Sequence, residues 1–232
     1  MAPVALALIL GIVAGAVGMN RWMKLPDKVV ERFHRLYHAR GAQTYNNTHW
    51  LGVPTQKLPL DMWAFQELIY SLKPDVIVET GTYKGGSSFF YATLFDWMGH
   101  GRVITVDIED YPGKPKHDRV TFLHGSSTDS ATLEKIRALI KPGEKVMVFL
   151  DSDHRGPHVR EELRLYSPLV TPGSYLIVED THFNGHPILP NHGPGPWEAI
   201  DGFLTTSQDF TIDRSPEKFL FTFNPRGFLK RR

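Results

Sequence analysis

The chain contains no cysteine. That excludes disulfides, thiolate nucleophiles and cysteine-based zinc sites, without fixing the compartment. Neither sign of charge is in excess: 26 basic and 25 acidic residues in 232 leave a formal net charge of +1 with histidine neutral. No polyelectrolyte attraction to nucleic acid follows, and the basic tip Arg226…Lys230-Arg231-Arg232 reads as a solvated end. Internal repeats are absent, as is any low-complexity tract beyond one apolar run at the N-terminus. There is no Gly-Lys-Ser/Thr phosphate loop and no dinucleotide glycine spacing. What remains is enough chain for one α/β domain with an ample core and a short appendage.

The appendage is Ala2 to Met19, which has no charged residue and is followed by Asn20, Arg21, Trp22 and Lys24. Its length is near the lower limit for a membrane helix, roughly 17–25 residues. Trp22 and the two cations suit an interface, and the positive-inside tendency places the following domain in the cytoplasm. Ala14-Gly15-Ala16 resembles a signal cleavage site, but no basic residue precedes the run. A buried helix would need a polar face, which these residues lack. The expectation is a hydrophobic membrane-anchor helix within residues 1–24, with a cleaved signal peptide as the alternative.

Beyond it, Pro26–Ala39 carries Val29, Val30, Phe33, Leu36 and Tyr37 at helical spacing, and a second helix over Leu60–Leu72 would turn Trp63, Leu68 and Ile69 inward. Gly41–Pro59, rich in Asn, Thr, Gly and Pro, reads as irregular. Strands over Val76–Glu79, Val103–Asp107, Val120–His124, Val146–Asp151 and Ser174–Glu179 then alternate with helices over Ser87–Trp97, Ser130–Ile140 and from His158. A helix at Trp197–Leu204 and strands at Phe210–Ile212 and Phe219–Phe223 complete the chain, the last two joined by a hairpin-length turn at Asp213–Glu217. Such alternation demands crossovers, hence an α/β fold with a mostly parallel sheet covered on both faces and an antiparallel edge.

The stretch Val76-Ile-Val-Glu-Thr-Gly-Thr-Tyr-Lys-Gly-Gly-Ser87 turns from a buried strand into a glycine-rich loop and a helix start. That arrangement opens backbone N–H groups to a ligand. Glu79 would repel a phosphate but suits an ammonium or sulfonium group, which points toward S-adenosylmethionine cradled by Gly81, Gly85, Gly86 and Ser87. Open parallel sheets bind ligands at the carboxyl ends of their strands. Those ends are Glu79, Asp107, Ser126–Ser127, Asp151 and Glu179–Asp180. Asp107 can accept both hydroxyl hydrogens of a ribose, or simply cap a helix; Ser126 and Ser127 can bond an adenine edge, or cap the helix from Ser130. Adjacent strand ends would gather Asp151, Glu179 and Asp180 as hard oxygen ligands for Mg²⁺ or another hard divalent cation. His182 and His186 are four apart, but Asn184-Gly185 and Pro187 break the helix that zinc binding would need.

Several motifs occur in one order: Leu51-Gly-Val-Pro54, Glu79-Thr-Gly-Thr82, Gly85-Gly-Ser87, Gly125-Ser-Ser-Thr-Asp129, Leu150-Asp-Ser-Asp-His154, Val178-Glu-Asp-Thr181, Asn184-Gly-His-Pro187, Gly193-Pro-Gly-Pro196, Glu217-Lys-Phe-Leu220 and Phe223-Asn-Pro225. Through them the chain resembles the cephalosporin hydroxylase and rhamnosyl O-methyltransferase family, a branch of the class I S-adenosylmethionine-dependent methyltransferases, over about Trp50 to Leu229. The resemblance implies a Rossmann-like sheet of seven strands, the last antiparallel, in a domain over 25–232 with an N-terminal helical cap at 25–72. It implies a divalent metal on Asp151, Glu179 and Asp180, and His154 as general base. Asp151 would also border the donor. At position 182 histidine stands where the family often has asparagine, which puts a second base there in doubt.

The expected reaction is methyl transfer to a hydroxyl of a sugar, glycolipid or related natural product. Lys57, Lys84 and Lys218 are candidate anchors, each also readable as a solvated lysine. Expected partners are a small-molecule or lipid-linked sugar acceptor and the membrane through residues 2–19, with a homo-oligomer left open and no nucleic acid. The rivals are a non-catalytic anchored scaffold, a nicotinamide-dependent oxidoreductase and a phosphoryl-transfer enzyme. The first predicts missing acids or loop glycines, the second a tighter glycine loop and the third a phosphate-binding lysine loop; the chain shows none of these.

Overall fold

A computed structural model of the protein describes residues 25–232. The expected membrane anchor at residues 2–19 lies outside them. Among the described residues no helix is long and apolar enough to cross a membrane.

Helix α1 (Leu25–Ala39) is followed by the two-residue strands β1 (His49–Trp50) and β2 (Val53–Pro54), paired antiparallel, and by α2 (Pro59–Leu72). The small hairpin lies inside the segment expected to be irregular; its turn places Leu51 and Gly52 at positive φ. The alternating part then runs β3 (Val76–Thr80), α3 (Gly86–Met98), β4 (Arg102–Asp107), β5 (Val120–His124), α4 (Ser130–Leu139), β6 (Val146–Leu150), α5 (Gly156–Tyr166), β7 (Tyr175–Val178), α6 (Pro196–Thr206), β8 (Phe210–Ile212) and β9 (Phe228–Arg231). The seven long strands form one sheet in the order β5-β4-β3-β6-β7-β9-β8. Neighbours from β5 to β7 are parallel, and β9 is antiparallel to both β7 and β8.

Central strands read as unbroken apolar runs because both faces are covered. Val76 and Val78 face one core with Leu133, Ile136, Val159, Leu163 and Ile200; Ile77 faces the other with Phe65, Ile69, Tyr91 and Phe95. Each such buried side chain contributes roughly 1.5–3 kcal/mol. The register brings the ends of β4, β3, β6 and β7 side by side at one edge of the sheet.

Three expectations need correction. The last strand is Phe228–Arg231, not Phe219–Phe223. The alternating phenylalanines imitate a strand, but Leu220 and Arg226 take positive φ, and the Phe223 N–H is donated to Asp61 Oδ2 at 2.9 Å rather than to a ladder. Phe221 and Phe223 instead pack with Leu58 against Val30, Tyr37 and Tyr45. Consequently Asp213–Glu217 is no hairpin turn, since the β8–β9 connection takes the whole of residues 213–227. Trp63 points outward, 59% exposed, with its indole N–H on Glu67; Ala64, Phe65 and Ile69 fill the inward face of α2. On α1, Val30 and Tyr37 pack inward while Val29, Phe33 and Leu36 remain exposed.

Candidate active site

The expected glycine loop joins β3 to α3. Gly81 has φ +87°, and a Cβ there would lie 1.9 Å from the backbone oxygen of Asp151; one on Gly86 would lie 2.2 Å from the Pro54 oxygen. These glycines therefore answer first to the protein's own backbone, at the end of β6 and in the strap after β2. Gly85, at φ +79°, is the N-cap residue before α3 and does not line the cavity.

The cavity over these strand ends has a volume of about 580 Å³. Of the residues singled out in the sequence, Gly81, Gly86, Ser87, Asp107, Ser126, Ser127, Asp151, His154 and Asp180 line it. Asp107 already accepts two backbone N–H groups, from Tyr83 at 2.7 Å and Glu109 at 2.9 Å, which fix its carboxylate at the end of β4. Ser127 Oγ lies 3.2 Å from His158 Nε2, while its carbonyl accepts the Tyr166 hydroxyl at 2.8 Å. Glu79 does not reach the cavity. It lies fully buried beneath the floor, where one oxygen accepts Ser88 Oγ at 2.5 Å and Thr105 Oγ1 at 2.6 Å and the other has no partner. Burial pushes its carboxyl above the usual range. The direct contact between Glu79 and a cationic donor that the sequence suggested is therefore not built into this arrangement.

At the ends of β6 and β7, Asp151, His154 and Asp180 each offer a ligand atom within 4.8 Å of the others. His154 Nε2 is 3.1 Å from Asp180 Oδ2, and His182 Nε2 is 3.1 Å from Asp180 Oδ1. Burial opposes ionisation of Asp180, yet His154, His182 and Lys57 together hold its carboxyl well below the usual range. Glu179, the third expected ligand, is not one of this group: its Oε2 lies 2.7 Å from Lys57 Nζ, and its buried Oε1 has no partner. Burial first, and Asp151 next, push the Glu179 carboxyl well up.

Lys57 also contacts Asp151 Oδ2. Its side chain is 6% exposed, so it is no solvated lysine. Burial alone would discharge it, but the two acids keep it protonated. A signal for this was present: Lys57 is the lone lysine, arginine or acid between Arg40 and Asp61, just upstream of a chain that gathers acids. Less legible was the aromatic and histidine wall supplied by α1 and the segment after it. His34 Nε2 bonds His182 Nδ1 at 2.6 Å, and His38, Tyr45, His182, Phe183 and Phe223 line the cavity on the Asp180 side. Burial, then the neighbouring His182 and His38, lower the His34 pKa to about 3. These partners are distant in sequence, so no local pattern announces them.

A parallel sheet in this order, with a polar cradle beyond β3, β4 and β5 and an acid–histidine cluster beyond β6 and β7, defines an enzyme that sets a nucleoside-type ligand beside an acidic centre. Residues 42–232 match the family described as Rhamnosyl O-methyltransferase/CmcI. The chain belongs to that family, and it is an S-adenosylmethionine-dependent O-methyltransferase. Among relatives, the Rhamnosyl O-methyltransferase of Mycobacterium leprae is 38% identical over 213 residues, covering 89% of this chain and 92% of that one. Its Mycobacterium tuberculosis counterpart is 39% identical over 213 residues, covering 88% and 86%. The fold is shared with a solved structure of CmcI bound to Mg and SAM, at TM-score 0.62 and 20% identity, over 81% of this chain and 77% of that one.

Proposed function

We propose that the protein methylates a hydroxyl of a sugar, glycolipid or related natural product, with a hard divalent cation assisting at Asp151, Glu179 and Asp180. The observation that carries this reading is the convergence of Asp151, His154 and Asp180 in the cavity that Gly81, Ser87, Asp107 and Ser126 also line. The relatives' names supply the sugar, and the CmcI structure with Mg and SAM supports the cation. The donor set fits a hard ion: carboxylate oxygens dominate, and Glu179 Oε1 is a buried acceptor in want of a partner.

In this reading Asp107 takes the donor ribose, while Ser126 and Ser127 face its adenine. Gly81 and Ser87 close the donor side of the cavity. Mg²⁺, when bound, would lower the pKa of the acceptor hydroxyl and fix its position. His154 takes the hydroxyl proton. An N–H on Nε2 directed at Asp180 leaves Nδ1 as the nitrogen that can accept it, and Asp180 stabilises the resulting imidazolium. The His34–His182 pair and Phe183 wall off the acceptor side, so that orientation adds to the acceleration. The apolar segment at 2–19 supports attachment to a membrane with the catalytic domain in the cytoplasm, and with it a lipid-linked acceptor.

The test is incubation of the full chain with methyl-labelled donor and either a membrane lipid extract or soluble glycosides, with and without EDTA. Label should enter a sugar-containing product and vanish in EDTA. His154→Ala should lower kcat by about 10²–10⁴. Full activity in excess EDTA rejects the metal, unchanged turnover of His154→Ala rejects the base, and label entering soluble glycosides alone rejects the lipid-linked acceptor.

A further inference from the structure

The ammonium of Lys57 lies between two carboxylates that come from different strand ends, Asp151 after β6 and Glu179 after β7. All three groups are shielded from solvent, with side-chain exposures of 6%, 19% and 5%. Lys57 is carried by neither strand. It comes from the strap between β2 and α2, held where Lys57 N bonds Thr48 Oγ1 at 3.2 Å and Thr55 N bonds the Thr48 oxygen at 3.0 Å. The strap thus inserts a positive charge into the acid cluster from outside the sheet. Its two contacts take up one oxygen of each acid.

We propose that Lys57 is the resident cation of this centre: it holds the Asp151–Glu179 pair while no metal is bound, competes with a divalent cation for those oxygens, and so sets the affinity of the centre for metal. The proposal rests on the metal reading above. Without a cation, two buried carboxylates side by side would repel and take up protons. Lysine supplies a compact charge on a flexible four-carbon stem, which can hold the pair and also withdraw. A dication at these carboxylates meets like charge at close range, and to use the two oxygens that Lys57 holds it must displace the ammonium from them. A guanidinium would grip the carboxylates in a rigid fork and yield less readily.

The test is a Mn²⁺ titration of the full chain, followed by the electron paramagnetic resonance of free Mn²⁺, with thermal midpoints measured with and without metal. Lys57→Gln keeps a hydrogen-bond donor and removes the charge. It should bind Mn²⁺ at least tenfold more tightly than wild type, melt lower than wild type without metal, and gain more on adding it. A merely structural lysine would give the loss of stability without the gain in affinity. Lys57→Arg, which keeps the charge, should bind Mn²⁺ no more tightly than wild type. If wild type binds Mn²⁺ and Lys57→Gln binds it equally or more weakly, Lys57 is not a competitor and the proposal falls alone. If neither chain binds Mn²⁺, the metal reading falls and takes this one with it. Should Lys57→Gln fail to fold by itself, folding on addition of Mn²⁺ supports the proposal, and failure to fold at saturating Mn²⁺ overturns it.

Discussion

His34 offers a quantitative handle on how α1 is joined to the site. Its ring sits against His182, Phe221 and Phe223 and is held neutral, with a pKa lowered from 6.5 to about 3. In the unfolded chain it titrates normally, so below pH 6.5 the unfolded state binds a proton that the folded state refuses. Stability is therefore present above pH 6.5 and is lost as pH falls toward 3. Each pH unit within that window costs about 1.4 kcal/mol. Going from pH 8 to pH 5 then removes about 2 kcal/mol through this one residue. With a urea dependence of roughly 2 kcal/mol per molar, that is about 1 M in the unfolding midpoint. The wild-type curve alone will not show it, because Asp61 works in the opposite direction over much of the same range. The informative quantity is the difference between wild type and His34→Gln, which keeps a hydrogen bond to His182 but does not titrate. That difference should shift by about 2 kcal/mol in favour of the variant between pH 8 and pH 5. Parallel pH curves for the two proteins would refute the reasoning.

Two further predictions test the frame around the site. Asp61 is buried, and burial pushes its carboxyl up to about 7 against its hydrogen bonds from residues 222 and 223. Its contribution is full below pH 3.8 and disappears as pH rises through about 7, so wild type should gain stability relative to Asp61→Asn as pH falls from 7 to 4; a constant difference in urea midpoint would contradict this. Gly81→Ala puts a Cβ 1.9 Å from the Asp151 oxygen at a positive φ that itself costs about 1–2 kcal/mol. It should lower the thermal midpoint and abolish S-adenosylhomocysteine binding by calorimetry, whereas near-wild-type values for both would show that the β6 end gives way freely.

Much of this architecture could be read along the chain. The runs Val76–Val78 and Val146–Leu150 announce strands covered on both faces, and the acids that follow such runs locate the edge of the sheet where ligands bind. Elements defined by local periodicity emerged with their bounds shifted by only a residue or two. The error at Phe219–Phe223 has a physical cause: a period of two in phenylalanine serves a strand and an irregular aromatic plug alike, and the Asp61 carboxylate that decides between them is far away in sequence. The same limit applies to the site. Asp151 and Asp180 were legible because each ends its own strand. Lys57 was legible only as one candidate anchor among three, and His34 and His38 not at all, because they enter from outside the sheet on segments whose docking depends on tertiary contacts. The glycines of the loop were read as a ligand cradle, but Gly81 and Gly86 make room for Asp151 and Pro54 before they make room for any ligand.

That close approach at Gly86 ties the glycine loop to the segment after β2. The first residue of α3 is in van der Waals register with Pro54 and Thr55, and Lys57 follows two residues later. The strap is thus a short lever, with its fulcrum on the glycine loop and its tip, Lys57, between Asp151 and Glu179. Because coupling between two binding equilibria is reciprocal, whatever occupies the carboxylates must alter donor affinity by the same factor with which the donor alters theirs.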